Sequence, residues 1–502
     1  ALNKYAYTSY TNRNEVYRQW GDTTYPVEYG YDTWGRRTTM KTYRAGTGWT
    51  GSTWPASPGT ADTTTWAYQE ATGLLSSKTD GASKAVSYTY TQAGQLATVA
   101  KPVAGTTTFS YDSLTGEQTT IDYLSGTTDV SAQYNRLGQL SQVTDATGTR
   151  TFDHCVCGKV TQENFPSGFY GSRSITYALE QTVTGSIGRT KGYTLYLGGT
   201  AEQDVAYGFD TYGRLNSVAG SGVTFAHTHT PNSNLLASIS DGSSGWTQTR
   251  SYLSNRDLLD VIETKVSTTS KVKFDYAHDS LGRRTGVAKS GDFYGRYGNG
   301  TQGLDTTWGY DDRSQVTSEV SKLGGSSTVL GGRDDAFAFD NLGNRTTTTH
   351  NGNTSTYTAN TLNQYTQRIV PGIFDVAGAA ASGATVTVNS SSTGVTRHGE
   401  YFFKSHALSN SSGAAYSVLD VSDGSTSVNL PAFVAQTPEQ FVHDDDGQML
   451  RDGRWEFTWD AAGRLVAAQS RSTLSPVPLP NAEAQRLEER RVGKECRSRW
   501  SP

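Results

Sequence analysis

The stretch Tyr31-Asp32-Thr33-Trp34-Gly35-Arg36 decides the fold of this chain, because versions of it recur along most of the 502 residues. Each version has an aromatic residue, Asp or another polar residue, two variable residues, Gly and a polar residue, often followed by Leu or Val. A unit that returns every ~20–30 residues predicts a fold built by stacking. The residues that define the clearest copies are Tyr31, Asp32, Gly35, Tyr134, Gly138, Phe209, Asp210, Gly213, His278, Asp279, Gly282, Phe339, Asp340, Gly343, Trp459, Asp460 and Gly463.

Each position of the motif has a physical role in a β-hairpin turn. The aromatic residue ends one strand and supplies packing surface, and Asp or Asn accepts a hydrogen bond from the backbone amide two residues on. Gly, three residues after Asp, suits the left-handed conformation that closes a type I turn with a bulge. We expect the following Arg or Gln to face water and the Leu or Val after it to point inward.

Degenerate copies are expected to form the same turn. The copy at 90–96 lacks Asp, and the copy at 111–116 carries one extra residue. Copies at 252–258 and 357–364 lack Gly at its usual place, where a nearby Asn or Asp can adopt the left-handed conformation at some cost. Alternating segments between copies, such as 85–90, read as strands. The pattern therefore predicts an all-β chain of antiparallel hairpins, each of which needs its neighbours to bury its apolar face.

The composition fits this prediction and narrows the function. The chain has 54 Gly and 29 Tyr but only 2 Met, and its net charge is -4 with 18% charged residues. It has no basic stripe of the kind that binds nucleic acid. It also has no run of ~18 apolar residues of the kind that spans a membrane. Because the chain begins at Ala1 without a leader, we expect it to be an internal piece of a longer protein.

Cysteine and histidine offer a few candidate sites. Cys155 and Cys157 flank Val156 and leave three interpretations open: a metal site, a redox pair, or small packed side chains in a repeat variant. Packing is favoured, because no second cysteine cluster completes a ligand set. His227 and His229 would share one face of a strand and could bind a metal. However, His replaces the aromatic residue of the repeat elsewhere in the chain, so a metal site is not favoured there either.

Acidic clusters resemble turns more than catalytic sites. The sequence contains no nucleophile elbow, no metalloprotease motif and no phosphate loop. We therefore predict no catalytic, cofactor or metal site and no enzymatic activity. Three acidic clusters are interpreted as solvated turn formers, although carboxylates near Asp452 would also suit calcium: Asp311-Asp312, Asp334-Asp335 and Asp444-Asp445-Asp446.

The motif resembles the YD repeat of RHS proteins, large bacterial surface and secreted proteins that include polymorphic toxins. The resemblance covers residues 5–365 and 441–470, and it is closest at Tyr134–Asp145 and Phe339–Arg345. It implies an all-β, continuous spiralling antiparallel sheet of hairpins that forms part of a hollow shell. RHS toxins also carry a self-cleavage region rich in Asp-Pro and Gly, followed by a toxin. Neither pattern is found here, so autoproteolysis and toxin activity are not carried over.

The repeat is interrupted once and ends before the C-terminus. Short strand patterns at 384–389, 400–404 and 417–421 predict a small inserted β-sandwich-like domain. The last residues, with Cys496, resemble the translation of a sequencing adapter and are excluded from functional reasoning. The predicted segments are 1–368 (repeat sheet), 369–440 (insert), 441–470 (further repeats) and 471–502 (non-globular tail, artefactual from about 487).

Two functions are expected from these observations. The first is a scaffold or encapsulating shell segment, extracellular or at the cell surface, whose partner is a C-terminal effector domain of the same polypeptide that is missing here. The alternative is a carbohydrate-binding adhesin module whose exposed aromatic side chains stack on sugar rings. The candidate glycan-binding residues are Trp20, Trp34, Trp49, Trp54 and Trp66.

Overall fold

A computed structural model describes residues 3–7, 15–124, 126–181 and 187–471. The predictions for the C-terminal tail, including Cys496, fall outside these residues from position 472 on. Among the described residues the regular secondary structure is almost all β-strand, and the helices are a one-turn α-helix at Ser167–Tyr170 and a 3-10 helix at Asp292–Tyr297. The predicted all-β class is confirmed.

Among the described residues, thirty strands precede the insert. The first fifteen are β1 Asn3–Tyr7, β2 Val16–Gly21, β3 Val27–Tyr31, β4 Arg37–Tyr43, β5 Ala61–Tyr68, β6 Leu75–Thr79, β7 Ala85–Tyr90, β8 Leu96–Lys101, β9 Gly105–Tyr111, β10 Gln118–Tyr123, β11 Val130–Tyr134, β12 Leu140–Asp145, β13 Gly148–His154, β14 Val160–Asn164 and β15 Arg173–Leu179. The next fifteen are β16 Thr190–Leu197, β17 Thr200–Phe209, β18 Leu215–Gly220, β19 Val223–His229, β20 Leu236–Asp241, β21 Trp246–Tyr252, β22 Leu259–Val266, β23 Thr269–His278, β24 Arg284–Ser290, β25 Leu304–Tyr310, β26 Val316–Leu323, β27 Val329–Phe339, β28 Arg345–His350, β29 Asn353–Ala359 and β30 Tyr365–Ile369.

These strands form one antiparallel meander. Each strand from β1 to β30 pairs with the next one in sequence, and β37 (Glu439–Gln440) pairs with β30 to complete a 31-stranded sheet. Strand β7 shows why the sequence forms it: Val86, Tyr88 and Tyr90 share the half-buried face, and the small residues Ser87 and Thr89 face solvent. The pleat places alternate residues on opposite faces, so a period of two produces a single-layer wall with one apolar face.

The insert is built from two small sheets. Strands β31 Ile373–Ala379, β33 Thr396–His398 and β34 Tyr401–Ala407 form one, and β32 Thr387–Val388, β35 Ala415–Ser422 and β36 Ser427–Val434 form the other. Val376, Val388, Phe402, Leu419 and Ala432 pack together in a buried core. This is the sheet-on-sheet packing expected of a β-sandwich-like insert. Strands β31, β33 and β36 were not predicted from the sequence.

After the insert, the chain returns to hairpins. Strands β38 Val442–His443, β39 Met449–Arg451, β40 Trp455–Trp459 and β41 Leu465–Ser470 form a four-stranded antiparallel sheet. The amide of Phe441, between β37 and β38, donates a 2.9 Å hydrogen bond to the carbonyl of Thr366 in β30. The wall therefore passes from β30 across the base of the insert into these last hairpins.

Candidate functional site: the repeat turns and the contact between coils

The repeat turn holds its shape through one carboxylate. In the first copy, Asp32 Oδ1 accepts hydrogen bonds from the amides of Trp34 and Arg36, both at 2.9 Å. Gly35 has φ of 79° and donates its amide to the carbonyl of Asp32 at 3.0 Å. These bonds define a type I turn closed by a left-handed residue.

The other clear copies have the same arrangement. Side chains at the Asp position accept the amide two residues on in the turns of Asn135, Asp210, Asp279 and Asp340, and the amide four residues on in that of Asp460. Their glycines have φ values of 72° (Gly138), 79° (Gly213), 86° (Gly282), 86° (Gly343) and 79° (Gly463). In the degenerate copies, Asn255 and Asn363 take the left-handed conformation with φ of 63° and 61°.

The arginine after the glycine is mostly shielded from water in three of the four clear copies that have it, which corrects the expectation from the sequence: Arg36, Arg214 and Arg283 are 24%, 22% and 24% exposed, whereas Arg464 is 55% exposed. Arg36 Nε lies 2.7 Å from Asp32 Oδ2, and its guanidinium stacks over the rings of Trp34 and Tyr68. The hydrogen bond from Arg283 is the largest influence on the pKa of Asp279 and lowers it. The same Asp–Arg pair occurs at Asp210–Arg214 (2.7 Å), Asp279–Arg283 (2.6 Å) and Asp460–Arg464 (2.7 Å).

The motif tyrosine joins neighbouring hairpins, a role that the sequence did not reveal. Tyr111, at the end of β9, donates its hydroxyl to the carbonyl of Leu96 at the start of β8. In the last hairpins, Trp459 donates its indole N–H to the carbonyl of Met449 at the start of β39. Equivalent bonds link Tyr31 to Val16, Tyr68 to Arg37, Tyr90 to Leu75, Tyr134 to Gln118, Tyr252 to Leu236 and Tyr310 to Arg284, at 2.6–3.1 Å.

One turn contains a disulfide, which corrects the favoured packing role for its cysteines. Cys155 occupies the Asp position and Cys157 the position two residues later, and their sulfurs are bonded. Cys157 is exposed rather than packed.

The sheet winds until distant residues meet. Repeat turns from 310 onward lie against connecting loops from 21 to 129, so that residues 289 to 361 positions apart share hydrogen bonds and ion pairs. We call residues 15–309 the first coil and residues 310–471 the second coil. The contacts join Arg313 to Thr24, Asn341 to Arg44, Lys84 to Asp445, Ala104 to Asp446 and Ala461 to Thr127.

Arg44 is the most connected residue at this contact. It forms ion pairs of 3.1 Å with Asp62 of its own coil and with Asp340 of the second coil. It also donates to Asn363 Oδ1 at 2.9 Å and to the carbonyl of Asn360. The turn of Asp340 has Asn344 where four other clear copies have Arg. Asn344 donates to Asp340 Oδ2 at 2.9 Å but has no charge, so the cation beside Asp340 is Arg44 of the neighbouring coil.

The Asp444–Asp446 cluster belongs to the same contact. Asp444 Oδ1 accepts the amides of Asp446 and Gln448 within its turn, Asp445 pairs with Lys84 at 2.7 Å, and Asp446 accepts the amides of Val103 and Ala104. These acids bridge coils instead of facing only solvent. Within the described ranges, no three His, Cys, Asp or Glu side chains come together as a metal site.

The remaining acidic and histidine candidates lie in three places: a repeat turn, a contact between the sheet and the insert, and one face of a strand. Asp311 accepts the amides of Arg313 and Gln315 in its turn. Asp334 and Asp335 lie within β27, so the expectation that they form a turn is wrong. Asp335 instead bonds His350 Nδ1 at 2.6 Å, while His350 Nε2 lies 2.8 Å from Asp375 of the insert. His227 and His229 lie on one half-buried face of β19.

Two of the five candidate tryptophans are buried and not available to ligands. Trp20 and Trp49 are 7% and 4% exposed and pack with Tyr43 and Trp54 in an aromatic cluster. The expectation of exposure is therefore wrong for Trp20 and Trp49. Trp54 and Trp66 are half-buried, while Trp34 at a turn tip is 63% exposed.

Similar structures were found by fold and not by sequence. No protein-family model and no curated protein matches the chain. The crystal structure of TcdB2-TccC3 without its hypervariable C-terminal region matches with a TM-score of 0.54 and 11% identity, over 94% of this chain and 25% of that one. The fold is of the RHS type. The TcdB2-TccC3-Cdc42 structure matches this RHS-type sheet with a TM-score of 0.52 and 11% identity, over 93% of this chain and 27% of that one.

The RHS-type sheet described here spans about a quarter of the length of the two chains that it matches. Among the described residues, neither helix has the length and apolar character that crossing a membrane requires.

Proposed function

We propose that this chain is a structural wall segment of a hollow shell, from a secreted or surface bacterial protein of the RHS type, and that it is not an enzyme. The observation that carries the proposal is the contact between the two coils, in which repeat turns of the second coil pack and form hydrogen bonds with connecting loops of the first coil. A single-layer sheet has one apolar face and little core, so coil-on-coil contacts are what turn a ribbon into a wall.

The sheet edge that contains the repeat turns of the first coil is uncovered, and its side chains are consistent with a larger shell. Large apolar side chains at its turn tips are strongly exposed, whereas Leu342 and Leu362, at the same turn position in the second coil, are half-buried. These turns follow one another along the same edge of the sheet, and burial of their apolar side chains against another surface would be favourable. The exposed set is Trp34 (63%), Leu114 (94%), Leu137 (76%), Tyr212 (82%) and Leu281 (72%). A further coil of the same polypeptide would cover them, as Tyr25 of the first coil covers Gly343.

A shell of this kind would enclose or present a C-terminal effector of the same polypeptide. The test is to express the uninterrupted genomic reading frame and digest it with a protease under native conditions. We expect the segment downstream of the shell to be protected until the wall is opened. Arg44→Ala combined with Asp446→Ala, which removes two coil contacts, should shorten the protection.

Two results would contradict the proposal. One is a downstream segment that is digested as fast in the native protein as in denaturant. The other is an electron-microscopy image of separate compact domains in place of a curved wall.

A second function rests on Trp34 and Tyr212, whose exposed rings at turn tips could stack on sugars. We expect glycan-array binding by the wild-type chain to be lost in Trp34→Ala and Tyr212→Ala if the protein is an adhesin. Trp49→Ala is unsuitable for this test because Trp49 is buried. An absence of binding by the wild-type chain would leave the wall proposal alone.

A further inference from the structure

The disulfide turn replaces a hydrogen bond that the other turns use. Where Asp32 reaches the amide two residues on, Cys155 is bonded through sulfur to the side chain at that same position, Cys157. The backbone of the turn is unchanged. The amide of Cys155 donates to the carbonyl of Lys159 at 2.9 Å, and the amide of Gly158 donates to the carbonyl of Cys155 at 2.9 Å.

The fold does not need this covalent bond. The turn at Thr91 has the same backbone bonds, at 2.8 and 2.9 Å, with neither Asp nor a disulfide. A disulfide stabilises mainly by closing a loop in the unfolded chain, and because this one encloses a single residue, that stabilisation is small. The bond can therefore open while the sheet stays folded.

The two cysteines differ in their exposure to solvent. Cys157 is exposed and follows the fully exposed Val156, while Cys155 is half-buried. Cys157 Sγ and Lys159 Cγ both border Gly188, within 3.4 and 3.7 Å of where its Cβ would be. A nucleophile that reaches Cys157 therefore arrives next to a lysine.

We infer that the Cys155–Cys157 disulfide is a thiol–disulfide exchange site of the folded wall, and that it reacts with anionic low-molecular-weight thiols. An incoming thiolate attacks Cys157 Sγ and forms a mixed disulfide, while the electron pair of the broken S–S bond leaves on Cys155 as a thiolate. A second thiolate then attacks the mixed disulfide and releases the small disulfide. The pair is left fully reduced by two electrons, and two small thiols are oxidised.

Lys159 gives the site its charge preference. A lysine beside the attacked sulfur attracts a thiol that carries carboxylates and repels one that carries an ammonium group. Glutathione and cysteamine are therefore matched probes, compared at equal thiolate concentration. Salt should reduce the difference between them, because the site is exposed.

The test uses the full chain with Cys496→Ser, purified without reductant, so that Cys155 and Cys157 are the only cysteines. Acid-quenched mass spectrometry and peptide mapping follow the mixed disulfide, and circular dichroism follows the sheet. We expect an adduct on Cys157 in the folded protein, formed several-fold faster with glutathione than with cysteamine. Lys159→Glu should reverse that order.

A matched control copies the preceding repeat turn, which has Asn135 and Leu137 at the two positions. Cys155→Asn combined with Cys157→Leu should give the same sheet signal and no adduct. The inference is overturned if this variant fails to fold, if exchange occurs only in denaturant, or if the adduct lies on Cys155. Equal rates for the two thiols, or no reversal in Lys159→Glu, would overturn the charge preference.

Discussion

Two repeat turns, that of Asp32 in the first coil and that of Asp340 in the second, have the same backbone but obtain their cation differently. Asp32, in the first coil, is paired with the arginine four residues later in its own turn. Asp340, in the second coil, has Asn344 at that position and is paired with Arg44, which is 296 residues away. The difference shows that one turn design serves two purposes. The turn of Asp32 closes a hairpin with a cation of its own, and the turn of Asp340 takes its cation from the neighbouring coil and so also joins the two coils.

The glycines of the repeat turns also differ between the two coils, in how closely other residues approach them. Gly94 of the first coil has φ of 79° and no atom within 4 Å of where a Cβ would be. Gly343 of the second coil has φ of 86°, and its Cβ would lie 2.8 Å from the hydroxyl of Tyr25. The free and the covered edge can therefore be distinguished by the same substitution at equivalent positions.

The largest expected effect is that of Arg44→Ala. It leaves Asp62 and Asp340, 13% and 11% exposed, without their cation, so we expect a loss of about 3 kcal/mol in the free energy of unfolding. The control is Lys273→Ala, where a lysine 36% exposed pairs with Asp275, 47% exposed, in the same strand, and the loss should be below about 1 kcal/mol. Denaturant unfolding gives both values. Equal losses would mean that the contact between coils adds nothing beyond a surface ion pair.

Gly343→Ala and Gly94→Ala separate backbone strain from coil contact. Both place a side chain at positive φ, which costs ~1 kcal/mol, but only Gly343→Ala also forces Tyr25 to move. We expect the extra cost at Gly343 to be about 1–2 kcal/mol. Thermal or denaturant unfolding of the two variants measures it, and identical losses would show that Tyr25 does not cover Gly343.

The tyrosine that joins hairpins should contribute less, and equally in both coils. Tyr111→Phe removes only the hydroxyl bonded at 2.8 Å to the carbonyl of Leu96, which should cost about 1 kcal/mol. Tyr212→Phe, on a side chain 82% exposed, is the control and should be neutral. A neutral Tyr111→Phe would mean that water replaces the bond between hairpins.

The smallest expected effect is the pH dependence of the bridge between the wall and the insert. Burial alone would lower the pKa of His350, but the hydrogen bond and charge of Asp335, with the charge of Asp375, outweigh burial and raise that pKa. The raised pKa in the folded state means that the contribution of His350 is complete below about pH 6.5 and is lost as the pH rises through its folded value. Because His350 is 41% exposed, we expect less than about 1 kcal/mol.

The measurement for this bridge is the stability difference between wild type and His350→Gln. This difference should be largest near about pH 6 and should shrink as the pH rises toward about 9. A difference that stays constant over that range would contradict the charged bridge. Asp335→Asn should reduce the pH dependence, because it removes the nearer carboxylate.

The sequence was sufficient for the local parts of the fold. The motif predicted the hairpins and the left-handed residue in each turn, and even Asn255 and Asn363 could be anticipated as replacements for Gly, because these features depend on a few adjacent residues. The prediction that the hairpins form one spiral sheet came from the resemblance to RHS proteins. Neither the composition nor the spacing of the repeats specifies that arrangement.

Features that depend on distant partners could not be predicted. The pairing of Arg44 with Asp340 has no periodic signal, because the number of residues in one coil depends on every hairpin between them. The burial of Trp20 and Trp49 requires the loop that contains Trp54 to fold over the sheet. The strand position of Asp335 was hidden because β27, with 11 residues, is longer than most strands of the sheet.

Stacking of the two coils can be measured directly by zero-length carbodiimide cross-linking. Lys84 Nζ lies 2.7 Å from Asp445 Oδ2 although the residues are 361 positions apart, and both side chains are accessible, at 42% and 50%. We expect mass spectrometry of the native monomer to find a peptide that joins Lys84 to Asp445 and to lose it in Asp445→Asn. A native, folded monomer in which Lys84 links only to acids of its own coil would show that the ribbon does not close on itself.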